Sequence, residues 1–296
     1  LDPILEDQIT SGGTLVSALL ATGAGGDPIS DLDAGDREGI AVIAAVTTSG
    51  AWQYSLDGGA TWNALGPVSQ TNARLLASDP QTRIRFIPNA NFFGTVTGGL
   101  TFRAWDQFTG TNGGTADVGF GGGSSAFSTA SGSANLAVTA VNDIPSFQVA
   151  PAIYAELSGG AVVVGNWIKS ISAGPLESAQ AVSFLVSVDD PAWFVEAPTI
   201  DSFGTLRFRG VAATIGTAVV TVRIKDDGGT AFGGVDTSPP QTFEIRFSES
   251  NHLPSGVLDP TFDADGVRTL SSPLGSSDLA RDVARQADGK LVVVGY

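Results

Sequence analysis

Cysteine and methionine are both missing from these 296 residues, and there is a single histidine, His252. Without cysteine there is no disulfide staple, no thiolate metal site and no cysteine nucleophile. A zinc enzyme or a Ser-His-Asp hydrolase would have to rest on His252 alone. That residue sits in the polar connector SESNHLPSG, where a histidine reads as solvent-exposed. No apolar run approaches the length of a membrane helix; the densest, GIAVIAAV at 39–46, is strand-sized. Basic residues are scarce, 15 against 30 acidic ones, for a formal net charge of −15. A chain of that sign repels nucleic acid and anionic membranes, so no nucleic-acid partner and no membrane insertion are expected. Its oxygen-rich surface attracts hard cations instead, Ca²⁺ first.

Glycine (38) and proline (15) are plentiful, and 42% of the chain is hydrophobic, enough to build cores between many turns. Short alternating or β-branched runs dominate: AWQYSL, TRIRFI, AVSFLVSV and AVVTVRI, separated by Gly, Asn, Asp or Pro. Only TLVSALLA at 14–21 suggests a helix inside this pattern; near the C-terminal end Asp288-Gly289 reads as a hairpin turn between two strands, although LARDVARQA could pass for a helix. The stretch YSLDGGATW has the Ser-x-Asp-x-Gly-x-Thr-Trp spacing of an Asp-box, from Ser55 to Trp62. Asp57-Gly58-Gly59 tolerates the positive φ of a tight hairpin, and the Asp carboxylate can accept from the turn's own N–H groups. Sialidases carry several such boxes, whereas this chain has one and no evident arginine triad with a Tyr–Glu pair. No catalytic residue and no organic cofactor site is assigned, and the chain is expected not to be an enzyme. The GGG run at 121–123 and the GTNGG loop lack the Lys-Ser/Thr of a phosphate cradle. The five tryptophans are expected in cores rather than on a sugar-binding face.

A repeat organises the chain. Arg85-Phe86 with Gly94-Thr95 recurs at constant offset as Arg207-Phe208 with Gly216-Thr217. Each is followed by a strand ending in an acid, TFRAWD and TVRIKD, then a Gly-rich loop and a closing strand, NLAVTAV and TFEIRF. The first copy carries extra hairpins. Pro145 stops the first junction, AVNDIPSF, so a short stiff connection is expected there. The expected division is 1–143, a β-sandwich with the Asp-box hairpin; 144–250, a second sandwich; and 251–296, a linker with an incomplete β module. The whole reads as a piece of something longer.

The run EDQ…DLDAGDREGIAV…WQYSLDGGATW…RIRFIPNANFFG…LTFRAWDQ…AVNDIP resembles a cadherin-like repeat of giant bacterial surface proteins and adhesins. The run from WIKSISAGPLESAQ to PPQTFEI resembles a second cadherin-like or immunoglobulin-like repeat, and LDPTFDADGV…QADGKLVVVGY is similar to the start of a delta-60 repeat. The resemblance implies an all-β chain of tandem cadherin/immunoglobulin-like sandwiches at the bacterial cell surface. It also implies a non-enzymatic spacer or adhesion segment stiffened by calcium, touching neighbouring repeats of its own chain. A carbohydrate-binding module for surface or matrix glycans, or a fibre subunit self-associating through strand edges, are the alternatives.

Calcium takes roughly six to eight oxygen ligands. Asp31, Asp33 and Asp36 in SDLDAGDREG form one candidate cluster. To these the resemblance adds Glu6 of LEDQ, Asp106 of RAWD, and Asn142-Asp143 of VNDIP. In the second repeat the candidates are Glu156, Asp189, Asp226, Asp227 and Asp236. Adjacent carboxylates such as Asp226-Asp227 repel at a strand end unless something binds them.

Overall fold

The structure is a computed structural model, and it describes residues 1–21, 37–156, 159–248, 280–285 and 291–295. Contacts divide the chain into one unit over Leu1–Ser248 and another over Glu249–Tyr296.

The first half of the larger unit runs β1 (Ile4–Leu5), β2 (Thr14–Leu15), α1 (Val16–Ala21), β3 (Gly39–Ala45), β4 (Gly50–Ser55) and β5 (Asn63–Ala64). It continues with β6 (Ala73–Ala77), β7 (Arg83–Pro88), β8 (Gly94–Trp105), β9 (Thr115–Ala116) and β10 (Phe127–Thr139). One sheet has the order β1-β10-β8-β3-β6-β9, the other β2-β7-β4-β5. Alternation explains the layering: along β7 the inward Ile84 and Phe86 are buried while Arg83, Arg85 and Ile87 are only half-buried. Between the sheets lie Ile40, Val42, Trp52, Ile84, Phe86, Leu100 and Leu136, and α1 closes the side with Val16, Leu19 and Leu20. The helical pattern at 14–21 is therefore real over six residues, after a two-residue strand.

The second half runs β11 (Ser146–Val149), β12 (Ala152–Glu156), β13 (Ala161–Val164), β14 (Ile168–Ser172) and β15 (Val182–Val188). It then runs β16 (Phe194–Ile200), β17 (Leu206–Gly210), β18 (Gly216–Asp226) and β19 (Gln241–Ser248). Its main sheets are β12-β19-β18-β15 and β13-β17-β16, with β11 paired to β14 at the side. Phe208, Val220, Val222, Ile224, Phe243 and Ile245 fill the space between them. The sequence repeat maps onto equivalent strands. Arg85-Phe86 and Arg207-Phe208 lie on β7 and β17, and Gly94 and Gly216 open β8 and β18. In both halves an early strand pairs parallel with the last, β1 with β10 and β12 with β19. The extra strands of the first half are β5, β6 and β9.

The smaller unit contains β20 (Ala280–Arg285) and β21 (Leu291–Gly295), paired antiparallel with Val283 opposite Val293. LARDVARQA thus contributes a strand rather than a helix; its β-branched partner strand LVVVG overrides the propensity of its Ala and Arg residues. Among the described residues no helix is long and apolar enough to cross a membrane.

Candidate functional site: an acidic joint between the sandwiches

The closing strand of the first sandwich, β10, ends at Thr139, and the chain reaches β11 at Ser146 through Ala140–Pro145. Asn142 lies at the centre of this connection and is 9% exposed. Its Nδ2 donates to Asp226 Oδ1 (2.9 Å) and to the Val235 carbonyl (3.0 Å), and its Oδ1 accepts from Gln180 Nε2 (2.8 Å). Its backbone carbonyl accepts from Val235 N–H at 2.9 Å. Every one of these partners belongs to the second sandwich, so the linker asparagine is latched into the loops that precede β15 and follow β18. Those loops approach so closely that a Cβ on Gly228 would overlap Asn142 Oδ1, and one on Gly234 would sit 2.9 Å from Asn142 Cβ.

Around the latch stand carboxylates from both sandwiches and from the linker. Glu6, just past β1, is 5% exposed; Glu177, in the loop before β15, is 6% exposed; Asp226, at the end of β18, is 4% exposed. Glu6 Oε2 accepts from Val141 N–H at 3.0 Å and Glu177 Oε2 from Asp143 N–H at 3.2 Å. Asp226 Oδ1 accepts from Gly228 N–H at 3.0 Å as well as from Asn142. Each carboxylate thus spends one oxygen on the backbone or the latch. The second oxygens of two of them, Glu6 Oε1 and Asp226 Oδ2, are buried without a hydrogen-bond donor, as are Asp143 Oδ2 and Gln180 Oε1.

Burial, then mutual repulsion, raises the pKa of several of these acids. Glu6 is pushed up by desolvation and by the charges of Asp143 and Asp7; Asp143 by desolvation and Asp7. Glu177 is raised by desolvation and by Asp143, Asp226 and Glu6. No lysine or arginine among the described residues forms an ion pair here, since the ion pairs are Lys225–Asp236 and Arg246–Glu244. Buried carboxylate oxygens with neither donor nor counter-charge are costly. Among the described residues no group of three or more acidic or histidine side chains is placed to hold a metal ion. The donor set nonetheless fits a hard cation, because the orphaned atoms are all oxygens and most carry charge.

The structure brings together Glu6, Asn142, Asp143 and Asp226 of the candidates read from sequence. Asp227 is beside them, its Oδ1 accepting from Ala181 N–H at 2.9 Å. Asp236 is close in the chain fold, its carbonyl accepting from Asp226 N–H, but its carboxylate is taken by Lys225 Nζ at 2.8 Å, which lowers its pKa. Asp106 and Asp189 are elsewhere. Gly94 of β8 pairs with Val138 next to the linker, so Asp106 follows the opposite end of a 12-residue strand, on the order of 35 Å away. There its Oδ1 closes a turn by accepting from Phe108 N–H. Asp189 follows the far end of β15, where its Oδ1 accepts from Val219 N–H. Glu156 ends β12 opposite Ser248, the position in the second sandwich that Glu6 follows in the first, likewise away from this joint. Asp31, Asp33 and Asp36 lie outside the described residues.

Glu177 and Gln180 were not among the sequence candidates. They sit in GPLESAQ, one isolated acid amid neutral residues, and the signal that finds them is register. Val182 pairs with Asp226 as Gly39 pairs with Trp105, so the loop before β15 corresponds to the acid-rich DLDAGDRE before β3.

The Asp-box is fully employed in its own hairpin. Asp57 accepts from Thr61 N–H (2.8 Å), Thr61 Oγ1 (2.6 Å) and Ser55 Oγ (2.7 Å), which lowers its pKa to about 2. Trp62 lies under the Arg85 guanidinium, 4.0 Å from ring centroid to Cζ. Of the five tryptophans Trp52 and Trp105 are buried in core; Trp167 and Trp193 are half-buried against Phe243 and Phe247.

No family model matches this chain, and no curated protein matches it. Among solved structures it is similar to human mucin-like protocadherin EC1-2, at 10% identity over 72% of this chain and 85% of that one, with a TM-score of 0.37. It is also similar to domains 4 and 5 of the S-layer protein SbsC (11% identity, 55% and 68% covered, TM-score 0.24). A further similarity is to the endo-fucoidan hydrolase MfFcnA4 of glycoside hydrolase family 107 (12% identity, 71% and 28% covered, TM-score 0.27). Likenesses this distant concern the β-sandwich build and carry no ligand or activity with them.

Proposed function

We propose that this chain is a non-enzymatic, extracellular tandem-repeat segment of a bacterial surface protein, a spacer or adhesion rod whose first joint is stiffened by Ca²⁺. Residues 1–143 and 144–250 are its cadherin-like repeats, and 251–296 open a delta-60 module. The observation that carries the reading is the set of buried, donor-less oxygens on Glu6, Asp143, Asp226 and Gln180, with Glu177 beside them and, among the described residues, no basic side chain paired with them. Glu6, Asp143, Glu177 and Asp226 would hold the ion, with the Gln180 carbonyl as a neutral donor. Ca²⁺ suits such a set better than Mg²⁺, which demands tight octahedral geometry and keeps several waters. Because Glu6 precedes the linker and Asp226 follows it, one ion binding both couples the two sandwiches. The Asn142 latch supports the same role, since it fixes the linker whether or not an ion is bound.

Thermal unfolding of the chelated chain, with and without added Ca²⁺ and with Mg²⁺ as control, tests this. A ligand that binds only the folded state at about 100-fold excess over its Kd adds about 2.7 kcal/mol. A Ca²⁺-specific rise in melting temperature is expected; identical curves in Ca²⁺ and chelator would remove the cation from the account.

A further inference from the structure

The two sandwiches differ at one edge in a way the repeat makes legible. In the first, β3 is the third of the strands that correspond between the halves, and its outer edge is occupied by β6, paired antiparallel from Gly39–Ala77 to Val42–Arg74. In the second, β15 holds the same place beside β18, and the sheet stops there. Among the described residues no strand continues it. The consequence shows in burial. Ile40 and Val42 of β3 are 0% exposed, whereas Val182, Phe184, Val186 and Val188 of β15 are only half-buried and Leu185 is 49% exposed.

Open edges are ordinarily blunted by charge, proline, bulges or brevity. Several other edges here are. β5 and β9 have two residues each, β16 carries Glu196 and Pro198 and is broken by register shifts, and the open stretch of β10 is interrupted likewise. β13 has four residues. β15, VSFLVSV, has none of these devices: it is uncharged, lacks proline, and keeps unbroken register with β18 from Val182–Asp226 to Val188–Val220.

We propose that this edge pairs with the β15 edge of a second copy of the chain, antiparallel and two-fold symmetric about Leu185. The strand is self-complementary in that arrangement. Leu185 faces its own copy, Ser183 faces Ser187, Phe184 faces Val186 and Val182 faces Val188. Beyond the strand, Asp189 falls opposite Ala181 and Asp190 opposite Gln180, so no like charges are opposed on the paired segment. The pairing is isologous and closes at two copies. It extends a four-stranded sheet to eight across the dyad, and gives each β15 the antiparallel neighbour that β3 obtains within its own half. A contact of one strand buries less than the standard interface of about 1,600 Å², so the association is weak and depends on concentration. It stands independently of the cation reading.

The absence of cysteine permits a clean test on the full chain. Antiparallel neighbours sit about 4.5–5.5 Å apart at Cα, within disulfide reach. Leu185→Cys is expected to form a covalent dimer under mild oxidation. Ser183→Cys is expected to do so only when mixed with Ser187→Cys. Sedimentation of the unmodified chain should show its average mass rising toward twice the monomer with concentration, in Ca²⁺ and in chelator alike. Leu185→Lys, which opposes two like charges on an exposed position, should hold it at the monomer, and Ser187→Lys serves if Leu185→Lys disturbs the circular dichroism. A chain that stays monomeric at every concentration, a dimer untouched by both lysines, or Ser183→Cys linking to itself would overturn the proposal. Growth into open polymers instead of dimers would equally overturn it.

Discussion

Replacing Asn142 by alanine removes one side chain and leaves three groups of the second sandwich without their partner. Asp226 Oδ1 loses a charge-assisted bond of 2.9 Å, the Val235 carbonyl a neutral one of 3.0 Å, and Gln180 Nε2 an acceptor at 2.8 Å. A bond to a charged acceptor is worth about 1.5–3 kcal/mol and a neutral one about 0.5–1.5 kcal/mol, and the gap is too confined for full rehydration. Asn142→Ala is therefore expected to destabilise the Leu1–Ser248 unit by about 2–4 kcal/mol in chelator. For a unit of this size that lowers the melting temperature by roughly 5–15 °C. Urea unfolding followed by circular dichroism measures it. Asn142→Asp refines the test. It keeps the shape but turns the donating Nδ2 into an acceptor facing Asp226 and Val235, and adds a charge to an acidic cluster. It should be worse than alanine in chelator and regain part of the loss in Ca²⁺. A cost for Asn142→Ala within about 0.5 kcal/mol of zero, the range of an inert surface change, would refute the latch.

Three further outcomes follow from the same geometry. Gly228→Ala forces a Cβ into Asn142 Oδ1 and should cost about 1–3 kcal/mol, much of it relieved when combined with Asn142→Ala in a double-mutant cycle. Glu6, Asp143 and Glu177 have raised pKa values, so without cation the folded state holds more protons than the unfolded one. Stability in chelator should then fall as pH rises from about 4 through those raised values, and Ca²⁺ should flatten that fall; a rise with pH in chelator would contradict it. Asp57, held down to about 2, works in the opposite sense: its contribution is present above the ordinary aspartate value and disappears as pH drops toward 2. Asp57→Ala should remove that acid limb from the melting profile while leaving Ca²⁺ binding unchanged.

Local chemistry was the most legible part of the chain. Asp57-Gly58-Gly59 is a hairpin turn because its carboxylate caps Thr61 and both glycines take positive φ, 76° and 100°. Arg85-Phe86 and Arg207-Phe208 read as equivalent strands because alternation buries the phenylalanine and leaves the arginine half-buried in one sandwich and exposed in the other. The joint was legible in part. Glu6, Asn142, Asp143 and Asp226 lie beside strand ends that the pattern locates, whereas Glu177 is one acid in a neutral loop and becomes visible only through pairing register. Asp106 and Asp226 end equivalent strands and look alike in sequence, but only Asp226 faces the linker, because each strand's acid lies at the head of its own sandwich. Asn142 was read as an ion ligand from the resemblance of VNDIP to a cadherin linker; its side chain bonds Asp226, Val235 and Gln180, partners that composition cannot foresee. The exposed state of β15 was hidden too, since VSFLVSV has the composition of a central strand and only the missing counterpart of β6 leaves it at an edge.

The central claim, one cation shared across the joint, is tested most directly by calorimetric titration of Ca²⁺ into the chelated full chain and into two single variants. Glu6→Gln changes a ligand of the first sandwich and Asp226→Asn one of the second, both nearly isosteric. The account predicts that each variant weakens or abolishes the same binding event, by about tenfold or more for a lost charged ligand, roughly 1.4 kcal/mol. Ca²⁺ binding unaffected by either, or lost with one and untouched by the other, would contradict a shared site and leave the joint to Asn142 alone.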